Sequence, residues 1–144
     1  MRKRAASLLI VIAVLLSLAG AAEAAAERAS AYLERYTISL RAKGSGRMAI
    51  VMTVDGVDEM REIGVDEVFI EEKNSSTASW HEFDTYYGMD DPETYYDYNS
   101  YDYLRTVYFD GTPGRYYRVT IVAFAADKTG SDTGWVTSST VLCK

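Results

Sequence analysis

From Tyr36 onward, apolar and polar side chains alternate with a period of two, as they do in strands that bury one face. Tyr36, Ile38, Leu40 and Ala42 alternate with Thr37, Ser39, Arg41 and Lys43 until Gly44-Ser45-Gly46 breaks the run. Met48, Ile50, Met52 and Val54 continue on one face as far as Asp55-Gly56, a turn pair. Ala49 and Val51 make the opposite face apolar as well, which suggests a central strand. Val57 to Gly64 reads as a connection whose Met60 and Ile63 tuck beneath the sheet. Val65 to Lys73 is a third strand, Asn74 to Thr77 a turn, and Trp80 to Tyr87 a fourth strand. Residues 88–102 show no period. Tyr103 to Phe109, Tyr116 to Ala126 and Trp135 to Leu142 complete a set of seven strands. Both prolines fall in the predicted loops, as they should. No stretch after the first two dozen residues carries a helical period. The pattern predicts an all-β fold, a single antiparallel β-sandwich of about seven strands.

The N-terminus reads differently. Arg2, Lys3 and Arg4 precede an apolar stretch from Leu8 to Leu18, and small residues follow in AGAAEAAA. This is the three-part design of a signal peptide over residues 1–26. The apolar stretch is short for a permanent span of about 20 residues, and an uncleaved N-terminal anchor stays the alternative because Ala5 to Ala22 carries no charge. Cleavage after Ala24 or Ala26 satisfies the small-x-small rule. The expected product is a secreted monomer comprising one domain at 27–144, with no membrane association once the signal is removed.

Composition narrows the chemistry. The chain has 144 residues, with 15 basic against 21 acidic side chains. Without Arg2, Lys3, Arg4 and Glu23 the balance is 12 against 20, a net charge of −8. That argues against nucleic acid as a partner, since its binders concentrate positive charge on one face. A single Cys (Cys143) and a single His (His81) leave no disulfide framework, no Cys/His zinc cluster and no supported Cys–His dyad. His81 is expected to be exposed, and Trp135 to pack in the core or at an edge. Cys143 is expected at a frayed terminus, with an intermolecular disulfide as its functional alternative. Gly44-Ser45-Gly46 lacks the Lys-Ser/Thr and the helix of a phosphate loop, so it reads as a hairpin turn.

One segment resembles a known family. Pro113-Gly114-Arg115-Tyr116-Tyr117-Arg118-Val119-Thr120-Ile121-Val122-Ala123 is similar to the penultimate strand of a fibronectin type III domain. The resemblance implies an immunoglobulin-like sandwich in which Tyr117 folds its hydroxyl back onto nearby backbone. Val119, Ile121 and Ala123 would then point inward. More narrowly, residues 32–142 resemble a group of small exported bacterial proteins of unknown function. The shared features are Tyr32 and Tyr36, Ala42-Lys43-Gly44-Ser45-Gly46-Arg47, Met60 with Ile63-Gly64, Trp80, Gly88-Met89 and Gly130-Ser131-Asp132. None of these motifs is catalytic, so the resemblance implies location and fold and no activity.

The most unusual stretch is a Tyr/Asp-rich loop expected at 88–102. Asp84 to Tyr103, taken with Tyr108 and Tyr116, holds nine of the twelve tyrosines. Three readings stay open. The segment is a solvated loop covering a sheet edge, or a recognition surface for an extracellular protein or glycan, or a calcium site. The recognition surface would use Tyr86, Tyr87, Tyr95, Tyr96, Tyr98 and Tyr101, because tyrosine gives rigid contact area with a polar tip. The calcium site would draw its oxygens from Asp90, Asp91, Glu93 and Asp97, although their spacing is not that of a regular calcium loop. No other cofactor is expected. A second acidic cluster is Asp66, Glu67, Glu71 and Glu72. Alternation sends Glu67 and Glu71 to one side, and this pair is the candidate for the alternative reading, a small carboxylate-dependent glycan hydrolase. The leading expectation is an exported, noncatalytic binding or structural module, with that hydrolase or a calcium-ordered adhesion or accessory domain as the alternatives.

Overall fold

The computed structural model describes residues 30–144, and the signal segment expected at 1–26 lies outside them. The strands are β1 (Leu33–Gly44), β2 (Arg47–Lys73), β3 (His81–Tyr87), β4 (Tyr96–Asp110), β5 (Tyr116–Ala126), β6 (Ser131–Thr137) and β7 (Val141–Leu142). All pairings are antiparallel, and they form one continuous seven-stranded sheet.

β2 organises this sheet. Its first half pairs with β1 on one side and with the second half of β4 on the other. Its second half pairs with β3 on one side and β5 on the other, while β6 and β7 follow each other along the far edge of β5. The turn expected at Asp55-Gly56 and the connection at 57–64 are therefore strand. The extra residues bulge out between Asp55 and Met60, where the β4 register shifts, so the chain bends without leaving the sheet. Met60 and Ile63 are buried as expected.

Every second residue of β2's first half, Met48, Ile50, Met52 and Val54, is fully buried. A bulge at Asp66 then resets the alternation, so that Val65, Val68 and Ile70 face inward and Glu67 and Phe69 face outward. β1 lies against β5, β6 and β7 without forming a ladder with them, and its Tyr36 covers Gly134 of β6. Phe83 of β3 meets Phe109 of β4 and Tyr117 of β5 at centroid distances of 5.7 and 5.3 Å. The apolar side chains of both halves thus share one core.

Tyr117 behaves as the sequence expects. Its hydroxyl accepts the Thr112 N–H at 2.7 Å and donates to Glu72 at 2.9 Å, and Val119, Ile121 and Ala123 are fully buried. The turn at Gly44-Ser45-Gly46 is a hairpin with all three residues at positive φ. The strand expected over Trp135 to Leu142 is interrupted instead. Ser138 donates its N–H to Val119 O and receives the Val119 N–H on its hydroxyl, which separates β6 from β7.

The segment 88–102 is not a long loop. A 3-10 turn (Gly88–Asp90) and one helical turn, α1 (Pro92–Tyr95), lead directly into β4. The buried Tyr103 hydroxyl donates to Thr94 O at 3.1 Å and ties that turn to the strand. The C-terminus is not frayed. Gly46 N–H donates to Lys144 O, Cys143 N–H to Arg115 O, and Gly114 N–H to Cys143 O. Cys143 is buried, its Sγ 3.4 Å from Gly46 O, and burial pushes its thiol pKa up. It presents no thiol for a bond between chains.

Candidate functional site

The sequence-predicted tyrosines do not form one surface. Tyr95 and Tyr96 are buried. The Tyr96 hydroxyl donates to Asp66 at 2.7 Å, fixing α1 and the start of β4 to the β2 bulge. Tyr86 is half-buried, and desolvation with the neighbouring Asp84 pushes its phenol up to about 12. Tyr98 and Tyr101 are exposed on β4, while Tyr87 is exposed at the end of β3. Three of the six are therefore open to solvent, and they lie on two different strands.

The carboxylates proposed for calcium do not converge. Asp97 is held by Arg105, whose Nη2 and Nη1 reach its two oxygens at 2.6 and 3.2 Å. Among the described residues no group of three or more His, Cys, Asp or Glu side chains could hold a metal ion. Glu67 and Glu71 do share a face, as alternation predicts. Their Cα atoms are nevertheless about 13 Å apart along the strand, and Glu71 is turned to Arg118 in a fork of 2.7 and 3.1 Å. A close carboxyl pair flanking a scissile bond is not what this geometry offers. His81 is exposed, as expected.

A different surface stands out. On the outward face of the β3, β2, β5 and β6 strands, one row of register partners reads Tyr87, Glu67, Val122, Trp135. The adjacent row reads Thr85, Phe69, Thr120, Thr137. Trp135 is 67 % exposed, which corrects its expected place in the packing. Glu67, Phe69, Glu71, Thr120, Val122 and Trp135 line a shallow groove of about 280 Å³. A larger hollow of about 540 Å³, near Asp58, Arg61 and Lys128, is lined entirely by polar and charged side chains.

The sequence reading, which expects Trp135 to pack in the core or at an edge, does not reveal this aromatic groove. The signal was its neighbour: β6 alternates Gly134 and Val136 against Trp135 and Thr137. The glycine faces inward because the Tyr36 ring fills that space, leaving no room for a Cβ. The large ring must then point outward.

Polar partners divide this face into two parts. The Arg118 guanidinium is gripped by Glu71 and lies 4.4 Å from the Trp80 ring centroid, and Lys73 Nζ lies 4.6 Å from the same ring. The Glu67 carboxylate, by contrast, has no hydrogen bond or ion pair with any of the described residues.

No family model and no curated protein matches the chain. Among solved structures, a family 76 glycoside hydrolase from a bovine Bacteroides thetaiotaomicron strain is similar at 15% identity and a TM-score of 0.30. The match covers 76% of this chain and spans 20% of that one. A likeness that low carries no argument about fold or activity.

Proposed function

We propose that the chain is an exported, noncatalytic binding module whose ligand, an extracellular protein or glycan, sits on the groove around Trp135. The observation that carries this reading is a tryptophan left 67 % exposed over the apolar floor of Phe69 and Val122. Burying such a ring against a partner removes a large apolar surface from water. Aromatic anchors of this kind dominate binding energy in most interfaces. Export is supported by the signal-like pattern at 1–26. A fibronectin type III-like arrangement is supported by the two sets of neighbours along β2 and by the Tyr117 hydroxyl bonded back to Thr112. The tyrosine segment becomes mainly scaffold in this reading, with Tyr87 alone reaching the same row as Trp135.

The test is a Trp135→Ala variant compared with the parent by heteronuclear NMR against soluble extracellular glycan fragments and charged peptides. Trp135 touches little of the core, so the variant should keep its melting curve within about 0.5 kcal/mol of the parent. Ligands should move the Trp135 indole signal in the parent and fail to bind the variant. Ligands that bind both proteins equally, yet depend on Tyr98 and Tyr101, would move the site to β4 and refute this placement.

A further inference from the structure

The outward face holds one cation seat already filled and a second, similar one left open. In the filled seat, Glu71 of β2 faces Arg118 of β5 across the ladder, and the guanidinium lies against Trp80. Four residues earlier on the same face of β2, Glu67 faces Val122 of β5, with Trp135 beyond it on β6. The carboxylate and the indole recur, but valine stands where the arginine would be. The result is a half-buried carboxylate with no partner among the described residues, an apolar floor, and an exposed indole at its side.

We propose that this second seat binds an arginine side chain of a basic partner protein. The proposal rests on the reading of the Trp135 groove as a binding site and names the chemistry that it takes. A guanidinium suits the site in three respects. Its N–H fork pairs with a carboxylate, and its flat, weakly hydrated face stacks on an indole. Its aliphatic stem can lie along Phe69 and Val122. Charge complementarity points the same way, because the chain carries an excess of acidic side chains and would draw a basic partner. A neutral sugar could stack on Trp135, but it would leave Glu67 without a counter-ion.

The probe is acetyl-triarginine amide, added to the whole protein while the Trp135 indole signal is followed by NMR. Isosteric tricitrulline and a neutral hexasaccharide serve as comparisons. Triarginine should give a saturable shift that weakens as salt is raised. Glu67→Gln should lower its affinity about tenfold, the loss of one charge-assisted hydrogen bond, and should leave the melting curve in place. Trp80→Phe should leave it unchanged. Tricitrulline binding as well as triarginine, or full affinity in the Glu67→Gln variant, would overturn the arginine seat. A hexasaccharide that shifts Trp135 equally in parent and Glu67→Gln would also overturn it while leaving the groove a binding site. If no probe moves Trp135, both readings fall.

Discussion

Gly64→Ala should lower the melting temperature by on the order of 10–20 °C, the largest loss expected from any single added methyl group in the described fold. Gly64 lies at the middle of β2, where β4 and β5 both pair with it. A Cβ there would overlap the Tyr95 carbonyl oxygen and come within 2.9 Å of the Tyr96 Cα. Both obstacles are backbone, so no rotamer relieves them. The strand ladder or the α1–β4 junction must move, at a cost of about 3 kcal/mol. Gly114→Ala provides the contrast. Nothing lies within 4 Å of its added methyl, and only its φ of +88° opposes the change, a strain of about 1 kcal/mol. Thermal melts of the two variants test the argument. Near-parental stability of Gly64→Ala would mean that Tyr95 and Tyr96 do not close onto β2 as described.

The second large effect is alkaline unfolding. Desolvation raises the phenol pKa values of Tyr86, Tyr95, Tyr96, Tyr103 and Tyr117. Carboxylates beside them add to the rise, Asp66 at Tyr96 and Glu72 at Tyr117. In the unfolded chain these groups titrate near pH 10. A pKa raised in the folded state contributes stability that is fully present below about pH 10 and is lost as pH rises through the folded value, about 12 for Tyr86. Within that window each phenol protonated only in the fold can steepen the loss by up to about 1.4 kcal/mol per pH unit. Phenolate absorbance and circular dichroism, followed together during a base titration, check this. The five phenols should ionise with the collapse of the β signal. Ionisation that runs to completion while the β signal persists would contradict their burial.

These buried tyrosines also mark where sequence stopped being a guide. Alternation found β1 because one face of it meets the core and the other meets water. It failed at the start of β4. There Tyr96 is buried, Asp97 is occupied by Arg105, and Asn99 sits at a φ of +51°, so no two-residue rhythm survives. It also split β2 at Asp55-Gly56, since a turn pair and a bulge look alike in one dimension. Only the partner strand, whose register skips between Asp55 and Met60, distinguishes them. The carboxylates were legible as outward-facing, but their pairing was not. Whether Glu67 or Glu71 is neutralised depends on Val122 and Arg118 of β5, about fifty residues downstream.

The central claim is that Trp135 and Glu67 form an open, negatively biased seat, whereas Trp80 is already covered by cations. Collisional quenching of fluorescence in two single-tryptophan variants, Trp80→Phe and Trp135→Phe, tests it most directly. With Trp135 alone, caesium should quench better than iodide, because the unpaired Glu67 enriches cations beside an exposed ring. With Trp80 alone the order should reverse, since Lys73 and Arg118 lie 4.6 and 4.4 Å from its ring centroid. A Trp135 that both ions leave unquenched, or that iodide quenches more strongly, would contradict the account.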